Sequence, residues 1–304
     1  MPVLPIQYNP TVTRKALALV RSLRPEQWLK NGFVLAPMVF SGLLDQPGVW
    51  LRASVAVAAF CAASSAVYLV NDVIDRRSDR RHPAKRHRPI ASGEVSVAAA
   101  LAVAAALGLA GMAAAVVLGG WFPTVLGSYI GLVVLYSLVL KRVVFVDVLV
   151  LAGGFVLRVV GGAVAIDVPV SRWLLLCAYL LALYLALGKR RAELALLGDD
   201  AGSHREVLGH YSLALVDQAI SVVLGATVLA YTLYTVAPDT VAKVGSEGLM
   251  ATVPIVLYGL FRYLYLLHRQ DLGGSPTRVV ATDRPLLIAV LIWLAVAAVV
   301  IRSS

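Results

Sequence analysis

The residues best suited to chemistry lie in the run Asn71-Asp72-Val73-Ile74-Asp75-Arg76-Arg77-Ser78-Asp79. Asp72, Asp75 and Asp79 are spaced i, i+3 and i+7, which on a helix places three carboxylates on one face. Like charges arranged this way repel unless a cation sits among them. Mg²⁺ suits that role, because it takes oxygen ligands and is commonly held by a few carboxylates together with substrate phosphates. The plainer alternative is a solvated helix end whose carboxylates pair with Arg76, Arg77 and Arg80. The apolar run before Asn71 argues against it, since carboxylates at a membrane edge generally serve a function. Asp72, Asp75 and Asp79 are therefore the candidate metal ligands, with Asp72, Asp75, the adjacent Asn71 and the downstream Lys85 as catalytic candidates. His82-Pro83-Ala84-Lys85-Arg86-His87-Arg88-Pro89-Ile90 follows directly. Lys85, Arg76 and Arg88 are placed to meet phosphate or diphosphate oxygens, the arginines by paired hydrogen bonds. A basic loop that only marks topology is the competing reading. Beside three carboxylates, the combination reads as a site for a metal–diphosphate complex.

Such a site needs elements that hold it at a membrane surface, and the composition supplies them. Of 304 residues, 60% are hydrophobic and only 14% charged, too little charge to cover a soluble domain of this size. Apolar runs long enough to cross about 30 Å of hydrocarbon recur throughout. Nine spans are expected, near 29–45, 51–71, 95–119, 121–140, 146–166, 172–188, 212–236, 249–267 and 285–301. The opening stretch to Arg24 is polar and basic, so no cleavable signal peptide is expected. Cys61 and Cys177 fall within apolar runs, which favours small buried side chains over a disulfide.

The formal charge of +10 follows membrane topology, not nucleic acid. Arg14, Lys15, Arg21, Arg24 and Lys30 flank the first span, and a dense basic run from Arg76 to Arg88 follows the second. The loops after the fourth, sixth and eighth spans are basic too, whereas the opposite side carries Arg52, Arg172, Lys243 and Arg302. The positive-inside rule then predicts a cytosolic N-terminus and an external C-terminus. The expected organisation is one all-α polytopic membrane domain over 1–304. In it, about 1–28 is cytosolic and the cytosolic loops 72–94 and 189–211 form the mouth of the site.

Further candidates sit at helix ends and inside spans. Tyr136-Ser137 and Lys141 end the fourth span, and Asp147 opens the fifth, which also contains Arg158. Asp147 and Arg158 are eleven residues apart, so they share a helix face roughly 16 Å apart. Arg158 is either part of a pocket or one half of an ion pair inside the bundle. Lys141 reads equally as a membrane anchor.

Asn-Asp-x-x-Asp-x-x-x-Asp followed by Lys-x-x-Arg-Pro-Ile-x-x-Gly resembles the first aspartate-rich motif of the UbiA-type prenyltransferase superfamily. The resemblance covers essentially the whole chain and implies a nine-helix bundle with a Mg²⁺–diphosphate site at its cytosolic mouth. Typical members carry a second motif, Asp-x-x-x-Asp, after the sixth span. Here that place reads Gly188-Lys189-Arg190-Arg191-Ala192-Glu193, then Asp199-Asp200 and His204-Arg205. A cationic pocket for an additional phosphate fits this better than a second metal cluster. The stretches Tyr136-Ser137-x-x-Leu140-Lys141, Leu157-Arg158-x-x-Gly161-Gly162-Ala163 and Lys189-Arg190-Arg191-x-Glu193 resemble a phosphoribosyl-transferring branch of that superfamily.

What that implies is transfer of 5-phosphoribose from phosphoribosyl diphosphate to decaprenyl phosphate at the plasma membrane, in the service of cell-wall arabinan assembly. Mg²⁺ would be the cofactor, with Lys30, Arg76, Arg88, Tyr136, Lys141, Arg158, Lys189, Arg190, Arg191 and Glu193 lining the substrates. Lys189, Arg190 and Arg191 are the candidates for the 5-phosphate. Expected partners are the two substrates and membrane lipids, with a homo-oligomer allowed and no nucleic acid. A polyprenyl diphosphate:aromatic prenyltransferase would share the first motif but want a second acidic cluster. A lipid or small-molecule transporter would place its charges at mid-membrane on broken helices. The charge asymmetry makes the topology testable. Cysteine labelling in intact cells is expected to place loops 72–94 and 189–211 in the cytosol and Ser304 outside; an external position for either loop overturns the proposed mouth.

Overall fold

The computed structural model describes residues 10–81, 85–198, 206–269, 279 and 282–302. His82, Asp199, Asp200, His204, Arg205 and the expected external Ser304 lie outside the described residues. Every regular element among the described residues is helical. In chain order these are α1 (Pro10–Ser22), a 3-10 segment (Pro25–Leu35), α2 (Ala36–Phe40), α3 (Pro47–Ile74), α4 (Arg76–Arg81) and α5 (Pro89–Ser92). They continue with α6 (Val97–Leu118), α7 (Phe122–Leu138), α8 (Val146–Ala165) and α9 (Arg172–Leu197). The last four are α10 (Leu213–Val236), α11 (Pro238–Val244), α12 (Val253–Arg269) and α13 (Arg284–Arg302).

Local chemistry sets several boundaries. Pro47 opens α3 in the first turn, where a missing N–H costs nothing. Ser96, Ser171 and Ser212 cap α6, α9 and α10, each hydroxyl accepting from the amide three residues on. Among the described residues, the two largest apolar clusters of the interior frame the site. Phe60, Phe122, Leu126 and Tyr129 join α3, α7 and their neighbours in one. Tyr184, Leu187, Ile220 and Tyr263 join α9, α10 and α12 in the other. Helix α8 belongs to both, giving Val148 and Ala152 to the second and Ala165 to the first.

Among the described residues, seven helices are long and apolar enough to cross a membrane, and α7 is apolar but only 17 residues long. The expected first span is the clear departure. Over 29–45 there is no continuous α-helix; the chain runs as a 3-10 segment to Leu35 and then as the five-residue α2. Packing accounts for the difference. The segment is pressed into α8 so closely that a Cβ on Gly162 would stand 1.9 Å from the Val34 carbonyl oxygen. Gly161 does the same for the Phe60 ring, with a Cβ only 2.6 Å from Cε2. Gly162 is thus the shallow point in α8 that admits the segment, and Gly161 the one that admits Phe60 of α3.

Gly162→Ala is accordingly expected to cost about 1–3 kcal/mol or more, because the opposing atom is backbone and cannot swing away. The check is the thermal midpoint of the purified protein in detergent, against Gly225→Ala, where nothing lies within 4 Å. Equal midpoints for the two variants would contradict the close approach.

Candidate functional site

One face of α3 carries Cys61, Ser65, Tyr68 and Asp72, at helical spacings of four, three and four. The 3-10 segment lies along this polar stripe. Arg24, which caps it with a left-handed backbone (φ 55°), donates from Nη2 to Asp72 Oδ1 at 2.5 Å and stacks over Tyr68. Trp28 Nε1 donates to Ser65 Oγ at 3.0 Å, and Asn31 Nδ2 to Cys61 Sγ at 3.1 Å. From Asp72 to Cys61 is eleven helical residues, so these contacts mark a wall roughly 16 Å deep. Its floor is Arg158 of α8, only 5% exposed. The Arg158 guanidinium donates from Nε to Asn31 Oδ1 at 2.7 Å, from Nη1 to the Gly154 carbonyl at 3.0 Å and from Nη2 to Tyr129 Oη at 2.8 Å. It also lies over the Tyr129 and Phe155 rings.

The aspartates do not share one helix face as their spacing suggested. Helix α3 ends at Ile74, Asp75 becomes its cap, and Asp79 belongs to α4. What reunites two of the three is Arg88, whose Nη1 meets Asp72 Oδ1 at 3.2 Å and Asp79 Oδ2 at 2.8 Å. Both carboxylates are buried. The Asp75 backbone carbonyl instead accepts from the Asp79 amide and the Ser78 hydroxyl. Among the described residues no group of three or more His, Cys, Asp or Glu is arranged to hold a metal. Asp72 and Asp79 nevertheless aim carboxylate oxygens at a single positive point. That donor set fits a divalent cation whose remaining ligands are phosphate oxygens and water.

Several other expected site residues have different partners. Asn71 donates to Ser137 Oγ at 2.8 Å and so ties α3 to α7. Arg76 Nε donates to the Ile90 carbonyl and Arg80 Nε to the Ala91 carbonyl, stapling α4 to α5. The bonds of Asn71 and Arg76 thus tie together the helices that carry the aspartates. Lys85 is half-buried on the short turn before Arg88, whose amide donates to the Lys85 carbonyl at 2.9 Å. Tyr136 and Lys141 are half-buried at the end of α7 and just beyond it.

The cationic run on α9 is divided three ways, as a 100° step per residue requires. Arg190, 1% exposed, donates from Nε to the fully buried Asp147 at 2.7 Å and pairs with Glu193 through Nη1. Tyr211 completes this network, donating to Asp147 Oδ1 at 2.8 Å while accepting from the Phe145 amide at 2.7 Å. Burial pushes the Tyr211 phenol above its ordinary range, so it stays a donor. Arg191 turns to Asp217 at 2.6 Å and to the Leu267 carbonyl at 2.9 Å. Lys189 stays half-open beside Glu193, at 3.7 Å. The three residues therefore do not form one phosphate pocket, and Asp147 partners Arg190 instead of Arg158. Lys30 does join the basic wall: burial, Lys189, Arg158 and Arg24, in that order, lower its amine to about 8.

Arg24 and Asn31 are the site residues that sequence reasoning missed. Arg24 reads as one more basic residue before a span. The available signal for Asn31 was an amide beside Lys30 at the head of an apolar run.

The model of the UbiA prenyltransferase family matches residues 34–282. The chain belongs to the UbiA prenyltransferase family. It is 33% identical over 287 residues to the decaprenyl-phosphate phosphoribosyltransferase of Mycolicibacterium smegmatis, covering 91% of this chain and 90% of that protein. To the protein of the same name from Mycobacterium tuberculosis it is 34% identical over 281 residues, covering 91% and 92%. Its fold matches a UbiA homolog from Archaeoglobus fulgidus, solved bound to GPP and Mg²⁺, with a TM-score of 0.69 at 16% identity over 94% of this chain and 99% of that one.

In this UbiA-family chain, Arg190, just after the sixth expected span, is paired with Asp147 of α8 and Glu193 of its own helix. Asp147→Ala is expected to cost about 3 kcal/mol or more, by stranding the buried Arg190. Lys189→Gln, on the same turn of α9 but half-open, is expected to leave the thermal midpoint in detergent unchanged. A midpoint that falls equally for both would show that Arg190 does not depend on Asp147.

Proposed function

We propose that this chain transfers 5-phosphoribose from phosphoribosyl diphosphate to decaprenyl phosphate, releasing diphosphate. The observation that carries the reading is the division of charge in the site. Two carboxylates at the mouth converge on one cationic point, while the deeper wall of Lys30 and Arg158 has a surplus of positive charge. A donor with a metal-binding diphosphate at one end and a separate phosphate at the other matches both parts. The phosphoribosyltransferase names of relatives that cover nine-tenths of the chain support the same choice.

Asp72 and Asp79 would hold Mg²⁺, which when bound supplies charge neutralisation to the departing diphosphate. Arg24 and Arg88 pair with these carboxylates, and their remaining N–H groups are placed to meet diphosphate oxygens by charge-assisted bonds. The C1–oxygen bond breaks with its electron pair going to diphosphate. A lipid phosphate oxygen then forms the new bond to C1, with inversion. The acceptor is already an anion at neutral pH, so no general base is needed. Catalysis is then mostly positioning and electrostatics. Under this reading residues 1–304 form one polytopic domain in the plasma membrane, with the mouth facing the cytoplasm, and the product feeds arabinan assembly in the cell wall.

The test is transfer from labelled phosphoribosyl diphosphate to decaprenyl phosphate by the purified protein, with Mg²⁺ and with chelator. Chelation, or Asp72→Asn, is expected to lower turnover at least about a hundredfold, since losing metal-based charge stabilisation costs several kcal/mol of barrier. Asp75→Asn is expected to do less, because Asp75 caps α3 and Arg88 pairs with Asp72 and Asp79. Transfer of a prenyl group from its diphosphate to an aromatic acceptor, with none from phosphoribosyl diphosphate, overturns the proposal.

A further inference from the structure

A cation deep in a membrane bundle is costly unless an anion or a full set of hydrogen bonds offsets it. Arg158 is 5% exposed, and its recorded partners are an amide oxygen, a backbone carbonyl and a phenol, all neutral. Three of its N–H groups are used in this way, out of the five a guanidinium carries. Among the described residues no carboxylate pairs with it. Asp147, on its own helix face, is taken by Arg190 and Tyr211. Lys30 stands beside it, close enough that Arg158, Lys189 and Arg24 all depress its amine, with Glu26 the one opposing charge and the weakest influence. Two neighbouring cations without a counter-charge form a site for an anion.

We propose that Arg158 and Lys30 form a phosphate-monoester subsite at the floor of the pocket, separate from the metal–diphosphate site at Asp72 and Asp79. The separation follows from α3. Cys61, which touches the floor through Asn31, lies roughly 16 Å of helix below Asp72. A diphosphate neutralised by metal is drawn to the carboxylates, whereas a metal-free dianion gains most from the unpaired cations below. The floor is also walled by aromatic rings, Tyr129 and Phe155 against Arg158 and Phe33 edge-on to Phe155. The ligand chemistry is a terminal phosphate on an organic carrier. Under the proposed transfer reaction that phosphate comes either from the sugar donor's 5-position or from the lipid acceptor. The identity of the carrier rests on that reaction, and the existence of the subsite does not.

The experiment measures binding without turnover. The purified protein in detergent and chelator is titrated with ribose 5-phosphate and with octyl phosphate, following the thermal unfolding midpoint. At least one probe is expected to stabilise the wild type. Lys30→Gln and Arg158→Gln are expected to weaken that probe about tenfold or more, the effect of losing a charge-assisted contact. Asp72→Asn is expected to bind it as the wild type does. Preference for ribose 5-phosphate assigns the subsite to the donor, and preference for octyl phosphate assigns it to the acceptor. If Arg158→Gln does not fold, Lys30→Gln decides. No stabilisation of the wild type by either probe, or undiminished binding in a folded variant, overturns the subsite. A protein that binds a probe yet transfers no phosphoribose keeps the subsite and loses the reaction.

Discussion

The approach of the Val34 carbonyl to Gly162 is the constraint on which the rest of the site depends. No residue with a side chain at 162 leaves room for it, and the two backbones meet because Gly162 hollows out α8 at that point. That contact seats the 3-10 segment against both α8 and α3. Along it, Arg24, Trp28 and Asn31 meet Asp72, Ser65 and Cys61 in turn. Arg24 adopts a left-handed backbone where the segment begins, a local cost that its contacts with Asp72 and Tyr68 offset.

Electrostatics divides the pocket so formed. At the mouth, buried Asp72 and Asp79 have arginine partners and gain little from further cations unless one of higher charge density replaces a guanidinium. At the floor the sign is reversed, and the cations outnumber their counter-charges. A ligand anionic at both ends, or a pair of anionic ligands, relieves both strains together. Binding energy gained at the floor is then available to hold the reacting ends in register near the mouth.

A second polar network lies outside this pocket and has a different task. Asp147, Arg190, Glu193 and Tyr211 satisfy one another at the start of α8 and the end of α9. Breaking a buried pair strands a charge, so the network fixes the relation of these two helices and the loop that follows. By occupying Arg190 and turning Arg191 to Asp217, it leaves Lys189 as the residue of that run nearest Lys30.

The sequence by itself determined the all-helical character, the long apolar helices from α3 onward apart from the shorter α7, and the family motif at Asn71–Asp79. Those features are local: hydrophobic run length, charge at helix ends and spacing along one helix. It also marked Arg158 as unusual, because an arginine within an apolar span needs a reason. Tertiary structure alone decided which charges meet. Asn31 and Arg158 are 127 residues apart in sequence, and periodicity carries no information about such a pair. The break after Ile74 took Asp75 out of the cluster, and Arg88, from the following loop, joined Asp72 to Asp79. Arg190 and Lys189 are adjacent and chemically alike, yet one is a buried strut and the other a half-open wall residue. A helix turns 100° between neighbours, and what each then faces depends on the helices packed around it.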